Sequence, residues 1–359
     1  MIQRVAYPAS GAASGICMGL FIKRWLLPVF GAALALWLIF QLYGSLNFPR
    51  FLDGLRHANP VWLSVLAATI LLEQLLSGWK WRQILYDLKP VGSLPLTGAL
   101  LAGYGVNVLV PLGISPLVRA WLVARLHRLK MATVLSTAVI ARFLDGVVFA
   151  LFAGAVAAAG RIPQIEGDLR LGLSVAGALN LLLFGGLLWV LFRFRGLFNR
   201  EELLICRLFD WITGQMGASG PGLRASLGAG IVWPRARKRR IAAIIAAVAG
   251  KLVAATHFLW AGLAVGVLLG PWDYLFLMVF AGFAMVLGRF VRIPAGFVFG
   301  AGFALKALGV ADEPALLMIL FSYILTIILV VGIGFVVLWQ SGLDIRHVRV
   351  KAETGNAGP

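Results

Sequence analysis

Residues 103–121 read GYGVNVLVPLGISPLVRAW and interrupt one of the apolar runs of the chain. The stretch is too broken for a continuous membrane-spanning helix, because it contains Asn107, Pro111, Gly113 and Arg119. It is also too apolar for a surface loop. A segment that enters the bilayer, turns at the Pro/Gly break and leaves on the same side accounts for both properties. Non-helical backbone at membrane depth occurs where protein buries it or a water-filled cavity borders it. The stretch therefore predicts a re-entrant helical hairpin that lines a cavity.

Composition places this hairpin in an integral membrane protein. The 359 residues are 61% hydrophobic and only 13% charged, against about 25% charged residues in a soluble protein. Apolar runs of about 20 residues recur along the chain, and each is long enough to cross a hydrocarbon core about 30 Å thick. We therefore predict an all-α polytopic membrane protein without a soluble domain of ordinary size.

The charge and the cysteines exclude other classes of protein. The net charge is +18, but the basic residues lie in short connections between apolar runs, which indicates contact with the anionic cytoplasmic leaflet and not with nucleic acid. The two cysteines, Cys17 and Cys206, give neither a disulfide framework nor a metal site. We expect no cofactor and no bound metal.

Eight apolar elements can be read from the sequence, and two of them are broken. The first break is at Pro111 and the second at RIPAG, 292–296. The predicted elements are 25–43, 61–81, a broken element from about 95, 133–158, 171–193, 241–269, a second broken element from about 274, and 314–340.

The positive-inside rule selects one topology for these elements. When both broken elements are hairpins, most of the 32 lysines and arginines fall on the cytoplasmic side, and Arg50, Arg56, Arg161 and Arg170 fall outside. The sequence therefore predicts about six full spans plus two re-entrant helical hairpins. It also predicts an inner (plasma) membrane location with cytoplasmic N- and C-termini.

This topology divides the chain into two inverted halves. Residues 1–165 form the first half, with a hairpin near 95–127. Residues 166–359 form the second, with a hairpin near 274–310 and a basic cytoplasmic connection, 194–240, that contains an amphipathic helix over about 199–216. Broken apolar segments at matching places in inverted halves are typical of the substrate site of a transporter.

Charged residues at membrane depth carry a surplus of positive charge. Such residues usually face a bundle interior or a cavity, and a lipid phosphate suits a surplus of guanidinium groups. The acidic residues at this depth are Glu73 and Asp145, and the basic ones are Arg119, Arg142, Lys251, Arg289, Arg292 and Lys306.

We predict that Arg119 and Arg142 bind the phosphate of a lipid. Asn107 and the open backbone near Pro111 and Gly113 would then contact its headgroup, with Asp145 and Glu73 as charge partners.

The residues leave several alternatives open. Arg142 and Asp145, at positions i and i+3, can form a structural ion pair, and Arg119 can snorkel to the surface. Asn107 can bond the broken backbone. Glu73 can pair with Arg119 or carry protons, and His257 can make an interhelical hydrogen bond or relay protons.

A motif in the first half resembles a known family. Gly103, Tyr104, Asn107, Pro111, Gly113, Arg119 and Ala120, followed by a basic turn and then by Arg142 and Asp145, are similar to the lysylphosphatidylglycerol synthase transmembrane family. The resemblance covers about 25–340. In the second hairpin Arg292, Pro294 and Gly296 form the corresponding site.

The chain departs from the family pattern at three places, two of them in the second half. Ala301 stands where relatives carry an acidic residue, Phe321–Tyr323 where they tend to carry an arginine early in the last helix, and Ala141 where they often have glutamate. These differences weaken the case for a charge-coupled mechanism and favour a divergent substrate.

The resemblance implies a lipid flippase or lipid-binding transporter. The lipid would be a phospholipid or a lipid-linked headgroup, anionic or glycosylated, and it would cross the inner membrane. The resemblance also implies no enzyme, because the soluble synthase domain of the bifunctional relatives is missing. Two alternatives remain: a non-catalytic partner of a lipid or glycan synthase in glycan or isoprenoid-lipid assembly, and a membrane-embedded lipid-linked transferase.

Overall fold

The structure is a computed structural model that describes residues 44, 46–109, 114–159, 167–193, 220–291 and 296–341. The predicted first span, 25–43, and the predicted amphipathic helix, about 199–216, lie outside the described residues. The part described is helical and contains no strand, which confirms the all-α class.

Twelve helices, numbered in chain order, make up this part of the chain. They are α1 (Phe48–Arg56), α2 (Pro60–Leu85), α3 (Ser93–Leu109), α4 (Ser115–His127), α5 (Met131–Ala159), α6 (Gly167–Arg193), α7 (Gly220–Gly230), α8 (Arg237–Ala264), α9 (Pro271–Val291), α10 (Gly296–Ala307), α11 (Asp312–Thr326) and α12 (Gly332–Gln340), with a π-helical turn, Ile327–Val331, between the last two.

Six candidate spans are long and apolar enough to cross a membrane. Four correspond to predicted spans and lie in α2, α5, α6 and α8, and a fifth, Asp312–Gln340, is the predicted last span. The sixth candidate is Pro271–Gly288 in α9, which the sequence predicts as the first arm of a hairpin. The multi-pass membrane protein predicted from the sequence is thus confirmed.

The start of α2 shows why the sequence folds as it does locally. The side chain of Asn59 accepts a hydrogen bond from the backbone N–H of Val61 at 2.9 Å, and Pro60 occupies the first helical position. An asparagine cap followed by proline is a strong helix start, because the cap satisfies a free N–H and proline lacks one. The backbone N–H of Asn59 also donates to the carbonyl of Ala264 at 2.9 Å, which ties the start of α2 to the end of α8.

Contacts at the other end of α2 and α8 define a basic end of the helix bundle. Arg239 lies over the ring of Tyr86 at 3.2 Å, and the backbone N–H of Arg235 donates to Asp87 at 2.6 Å. Lys89 donates to the carbonyl of His127 at 2.6 Å. Besides these, the basic end carries Arg82, Arg125, Arg128, Lys130, Arg193, Arg237, Lys238 and Arg240.

The opposite end of the bundle carries most of the acidic side chains in the described part of the chain. The Asn47 N–H donates to Glu313 at 3.1 Å, and Lys306 pairs with Asp312 at 3.7 Å. Lys306, predicted at membrane depth, is therefore a surface residue of this end, where 54% of its side chain is exposed.

Two helix pairs return to the end of the bundle where they start. The first pair, α3 and α4, starts next to Lys89 and ends at His127, so both of its outer ends lie at the basic end. The second pair, α9 and α10, starts and ends at the opposite end, beside the close of α8 and the start of α11. These pairs occupy the segments that the sequence predicts as re-entrant hairpins. The breaks predicted within them, at 110–113 and 292–295, lie outside the described residues, so the hairpins stay a prediction.

Helix packing is centred on α2 and α8, which share the most extensive interface. In addition α3 packs closely on α12: a Cβ on Gly105 would lie 3.4 Å from the carbonyl carbon of Gly334. The pair α9 and α10 packs on itself and against α5. Two apolar cores follow one another along the α2–α8 contact. One contains the first part of α2 and the last part of α8, and the other contains the last part of α2 and the first part of α8.

Two local features go beyond the sequence-based expectation. Helix α2 continues to Leu85, about one turn beyond the predicted limit of 81, and Lys80 is buried within it. Helix α7 begins at Gly220 in a glycine-rich segment. Hydroxyl groups of α5 bond its carbonyls: Thr133 donates to Ser226 at 2.8 Å and Ser136 to Leu227 at 2.9 Å.

Candidate functional site

A cavity of about 80 Å³ lies inside the bundle, where α2, α3, α4, α5 and α8 meet. Four of the predicted site residues, on three different helices, line it: Glu73, Arg119, Arg142 and Asp145. The other lining residues are Gln74, Ser77, Lys80, Trp81, Leu100, Tyr104, Ala138, Ala141, Ala246, Ala247, Gly250 and Lys251. The structure therefore brings together charges that are separated by up to 178 positions in the sequence, from Glu73 to Lys251.

The cavity lies in the half of the bundle nearer the basic end. At 1.5 Å per residue, Lys251 and Asp145 lie about 21 Å along their helices from the basic end, and Arg119 lies about 12 Å from His127. Glu73 lies about 18 Å from Leu85. These depths place the charged groups within the apolar part of the helices, where an uncompensated charge is costly.

Lys80 and Asp145 form an ion pair across the α2–α5 contact. The Lys80 side chain is almost fully buried, with 4% exposed, and that of Asp145 is 19% exposed. The sequence indicated Arg142 as a partner for Asp145 within the same helix, and the structure instead gives this position to Lys80. The reason is the length of α2, which carries Lys80 into the bundle, where a buried ammonium requires a carboxylate.

Arg119 stacks on an aromatic ring in the same hairpin. Its guanidinium carbon lies 4.2 Å from the centroid of the Tyr104 ring, which gives a cation–π contact between α4 and α3. Its Nε is buried without a hydrogen-bond partner, as is the hydroxyl of Ser115 one turn before it. Arg119 is thus positioned by the stack while part of its hydrogen-bonding capacity remains unused.

Glycine at position 103 makes this placement of Arg119 possible. A Cβ on Gly103 would lie 2.5 Å from both Cγ and Nε of Arg119, which is far closer than van der Waals contact. Because Gly103 has no side chain, Arg119 can cross α3 at this point, which accounts for the glycine at position 103.

Two further cations in the cavity have no carboxylate partner. Arg142 is exposed and Lys251 is partly buried, and within the described ranges neither forms an ion pair with a described carboxylate. With Asp145 neutralised by Lys80, Glu73 remains to offset Arg119, Arg142 and Lys251. The site therefore holds a net positive charge when it contains only protein groups.

Small residues form the wall of the cavity between α5 and α8. Ala138 and Ala141 come from one helix, and Ala246, Ala247 and Gly250 from the other. No atom lies within 4 Å of the position that a Cβ on Gly250 would take. The glycine therefore borders open space, and a large side chain there would fill the cavity.

Other predicted site residues do not line this cavity or fall outside the described residues. Asn107 lies in α3, partly buried, one turn beyond Tyr104, and is not part of the cavity wall. Pro111, Gly113, Arg292 and Pro294 lie outside the described residues.

The second hairpin is packed tightly where it is described. Gly296 opens α10, and a Cβ there would lie 2.7 Å from the Ala284 carbonyl oxygen of α9. Ala301, at the position where relatives carry an acidic residue, is fully buried. This part of α10 therefore fits against α9 through small residues.

Sequence reasoning missed Lys80, Tyr104 and Lys251 as members of one site. The topology counts Lys80 among the cytoplasmic charges, and Tyr104 appears only in the family motif. Lys251 is predicted as a cation at membrane depth without a role in the site. The spacing of Glu73 and Lys80, two turns apart on α2, was the available signal, since it places both side chains on one helix face.

The chemistry available to the cavity is that of anion binding. Guanidinium and ammonium groups donate to phosphate oxygens, and arginine does so in a bidentate manner. Among the described residues no three His, Cys, Asp or Glu side chains are grouped so that they could hold a metal ion.

Comparison with known proteins agrees with the resemblance seen in the motif. The family model described as the lysylphosphatidylglycerol synthase TM region matches residues 25–334, which is most of the chain. Comparison with curated proteins and with solved structures found no match.

Proposed function

Because the chain belongs to the lysylphosphatidylglycerol synthase transmembrane family, we propose that it is a lipid flippase or lipid-binding transporter. The family is the non-catalytic, membrane part of that synthase. In the proposal the chain moves a phospholipid or lipid-linked headgroup across the inner membrane and makes no lipid itself.

The observation that carries the proposal is the surplus of positive charge in the cavity. An unpaired cation in hydrocarbon costs at least about 2.5–3.5 kcal/mol on insertion scales, and Arg119, Arg142 and Lys251 face a single carboxylate that is free to offset them. An anion that enters the cavity offsets this cost. Lipid phosphate is the anion that the bilayer itself supplies, from the headgroup layer that borders its hydrocarbon core.

The size and position of the cavity suit the phosphate of a lipid. A cavity needs about 10–15 Å³ to hold one buried water molecule. A cavity of about 80 Å³ therefore admits a small polar group but not a large glycan. The phosphate would lie between Arg119 and Arg142, and a bulky headgroup would require the helices to separate further. That separation is the alternating movement expected of a transporter.

The pattern of helix contacts supports two inverted halves, 1–165 and 166–359, with re-entrant hairpins. Helices α2 and α8 take equivalent places in the two halves and pack on each other. The contact of α3 with α12 has its counterpart in that of α9 with α5, and the contact of α2 with α5 has its counterpart in that of α8 with α11. The basic end would face the cytoplasm, with both termini on that side.

One observation favours the non-catalytic partner as a second candidate. The second hairpin lacks an acidic group at Ala301 and is closely packed there. A chain that binds a lipid without moving it, beside a lipid or glycan synthase, would need only the first site. Co-purification with a synthase, together with no transport by the chain alone, would support it.

Transport in liposomes tests the proposal. The purified chain is placed in liposomes with headgroup-labelled phosphatidylglycerol, and an impermeant quencher follows the label between leaflets. We expect fast translocation by the wild type and by Arg125→Ala, and a loss of at least tenfold in Arg119→Ala. Arg125 is the matched control, because it is an exposed arginine of the same helix that stacks on Trp121 at 5.2 Å outside the cavity. Translocation no faster than in empty liposomes by folded wild type would refute the proposal for this lipid class.

A further inference from the structure

A histidine between the cavity and the opposite end of the bundle has no role in phosphate binding. His257 lies in α8, partly buried, and its ring makes a hydrogen bond to the backbone of Thr69 in α2. Its Nε2 is buried and has no partner among the described residues. A buried polar atom without a protein partner calls for ordered water or for a function.

Helix geometry directs His257 and Glu73 towards each other. The Asn59–Ala264 hydrogen bond fixes the register of the antiparallel helices α2 and α8. From that bond His257 lies about 10 Å along its helix and Glu73 about 21 Å. Side chains lean towards the N-terminus of their own helix, so Glu73 leans towards the opposite end and His257 towards the basic end.

The hydrogen bond to Thr69 brings the imidazole close to the carboxylate. Thr69 and Glu73 are one turn apart on the same face of α2, about 6 Å along the axis. The charge of Glu73 acts on the imidazole of His257, and Glu73 itself lines the cavity. A proton bound by this pair therefore changes the electrostatic energy of an anion in the cavity.

The line of polar groups continues beyond His257 towards the opposite end. Trp260, three residues further along α8, has a buried Nε1 without a partner and stacks on Trp62 at 5.5 Å. Both indole and imidazole can therefore bond to water along the α2–α8 interface.

Other charged groups near His257 belong to the cavity or to the ends of the bundle. Helix α8 itself supplies Lys251, and α5 supplies Arg142 and Asp145. The charged groups on α9 and α11 whose side chains are described, Asp273, Asp312 and Glu313, lie at the opposite end. Glu73 is thus the carboxylate placed to share a proton with His257.

We propose that Glu73 and His257 form a proton-binding pair that couples lipid binding to proton uptake from the opposite end of the bundle. This inference rests on the proposed function, since the phosphate in the cavity supplies the coupling. An anion beside Glu73 disfavours the ionised carboxylate, so the pair binds a proton when the lipid enters. By linkage the proton strengthens lipid binding to the same extent.

Calorimetry measures this coupling without transport. Detergent-solubilised protein is titrated with water-soluble dihexanoyl-phosphatidylglycerol near pH 6.5, in two buffers of different ionisation enthalpy. The difference in heat gives the number of protons taken up. We expect uptake that approaches one proton per lipid, and a dissociation constant that falls by up to tenfold per unit decrease in pH.

Variants assign the protons to the pair. His257→Gln should still bind lipid, with proton uptake near zero. Glu73→Gln should lose the pH dependence of whatever lipid affinity it retains, whereas His127→Gln at the basic end should behave as wild type. Wild-type binding without proton uptake, and with an affinity independent of pH, would overturn this inference and leave the proposed function intact. Wild type that binds no lipid would refute both. The pH dependence of lipid binding by the wild type tests the inference even if a variant does not fold.

Discussion

Replacing Lys80 by methionine should destabilise the protein through the carboxylate it leaves behind. Removing one partner of a buried ion pair costs about 3–5 kcal/mol, because the other charge stays buried. Here Asp145 keeps 19% of its side chain exposed, and Lys251 and Arg142 also act on it. We therefore expect a loss of about 3 kcal/mol, at the lower end of that range. Methionine retains most of the aliphatic volume of lysine, so packing changes little.

A double-mutant cycle separates the charge from the packing. Unfolding free energies are measured in mixed micelles for Lys80→Met, for Asp145→Leu and for the two combined. The double variant should recover to within about 1 kcal/mol of wild type, since replacement of a whole buried pair by apolar residues is often neutral.

The exposed Lys238 provides the control for this cycle. Lys238→Met should change stability by no more than about 0.5 kcal/mol. If Lys80→Met were as stable as Lys238→Met, or if the double variant were no better than the single ones, the pair would not contribute as we describe.

Three more changes test other parts of the site and its surroundings. Gly250→Ala should raise the free energy of unfolding by up to about 1 kcal/mol, because alanine has the higher helix propensity and its methyl group meets no neighbouring atom. Gly250→Phe should fill the cavity and abolish lipid binding in the calorimetric titration. Gly103→Ala should displace Arg119 and reduce translocation nearly as much as Arg119→Ala, whereas unchanged transport would mean that the stacked position is not used. Burial and the charge of Lys89 lower the pKa of His127 below its ordinary value of 6.5, so the unfolded chain binds more protons there and stability should fall as the pH decreases below about 6.5. His127→Gln should remove this part of the pH dependence of unfolding, and an identical pH profile would contradict it.

Long apolar helices could be predicted from the sequence with good accuracy. The spans in α5 and α6 differ by only a few residues from the predicted 133–158 and 171–193. The breaks predicted at Pro111 and at 292–296 rest on the rule that proline cannot continue a helix interior, and they stay predictions. Arg119, Arg142, Glu73 and Asp145 were identified as one group because charges at membrane depth face a shared interior.

Features that depend on tertiary contact could not be predicted from the sequence. The partner of Asp145 is decided by how far α2 extends, which places Lys80 in the bundle. The formation of α7, which is rich in glycine, depends on hydroxyl groups of α5 that bond its carbonyls. The stack of Arg119 on Tyr104 requires the packing of α4 on α3. The roles predicted for Asn107 and for the second hairpin remain predictions.

An experimental structure of the chain in nanodiscs that contain phosphatidylglycerol would test the central claim most directly. We predict density for a lipid phosphate between Arg119 and Arg142, in the cavity of α2, α3, α4, α5 and α8, with the headgroup towards the basic end. Density for lipid only on the outer surface of the bundle, with the cavity closed by side chains, would contradict the account.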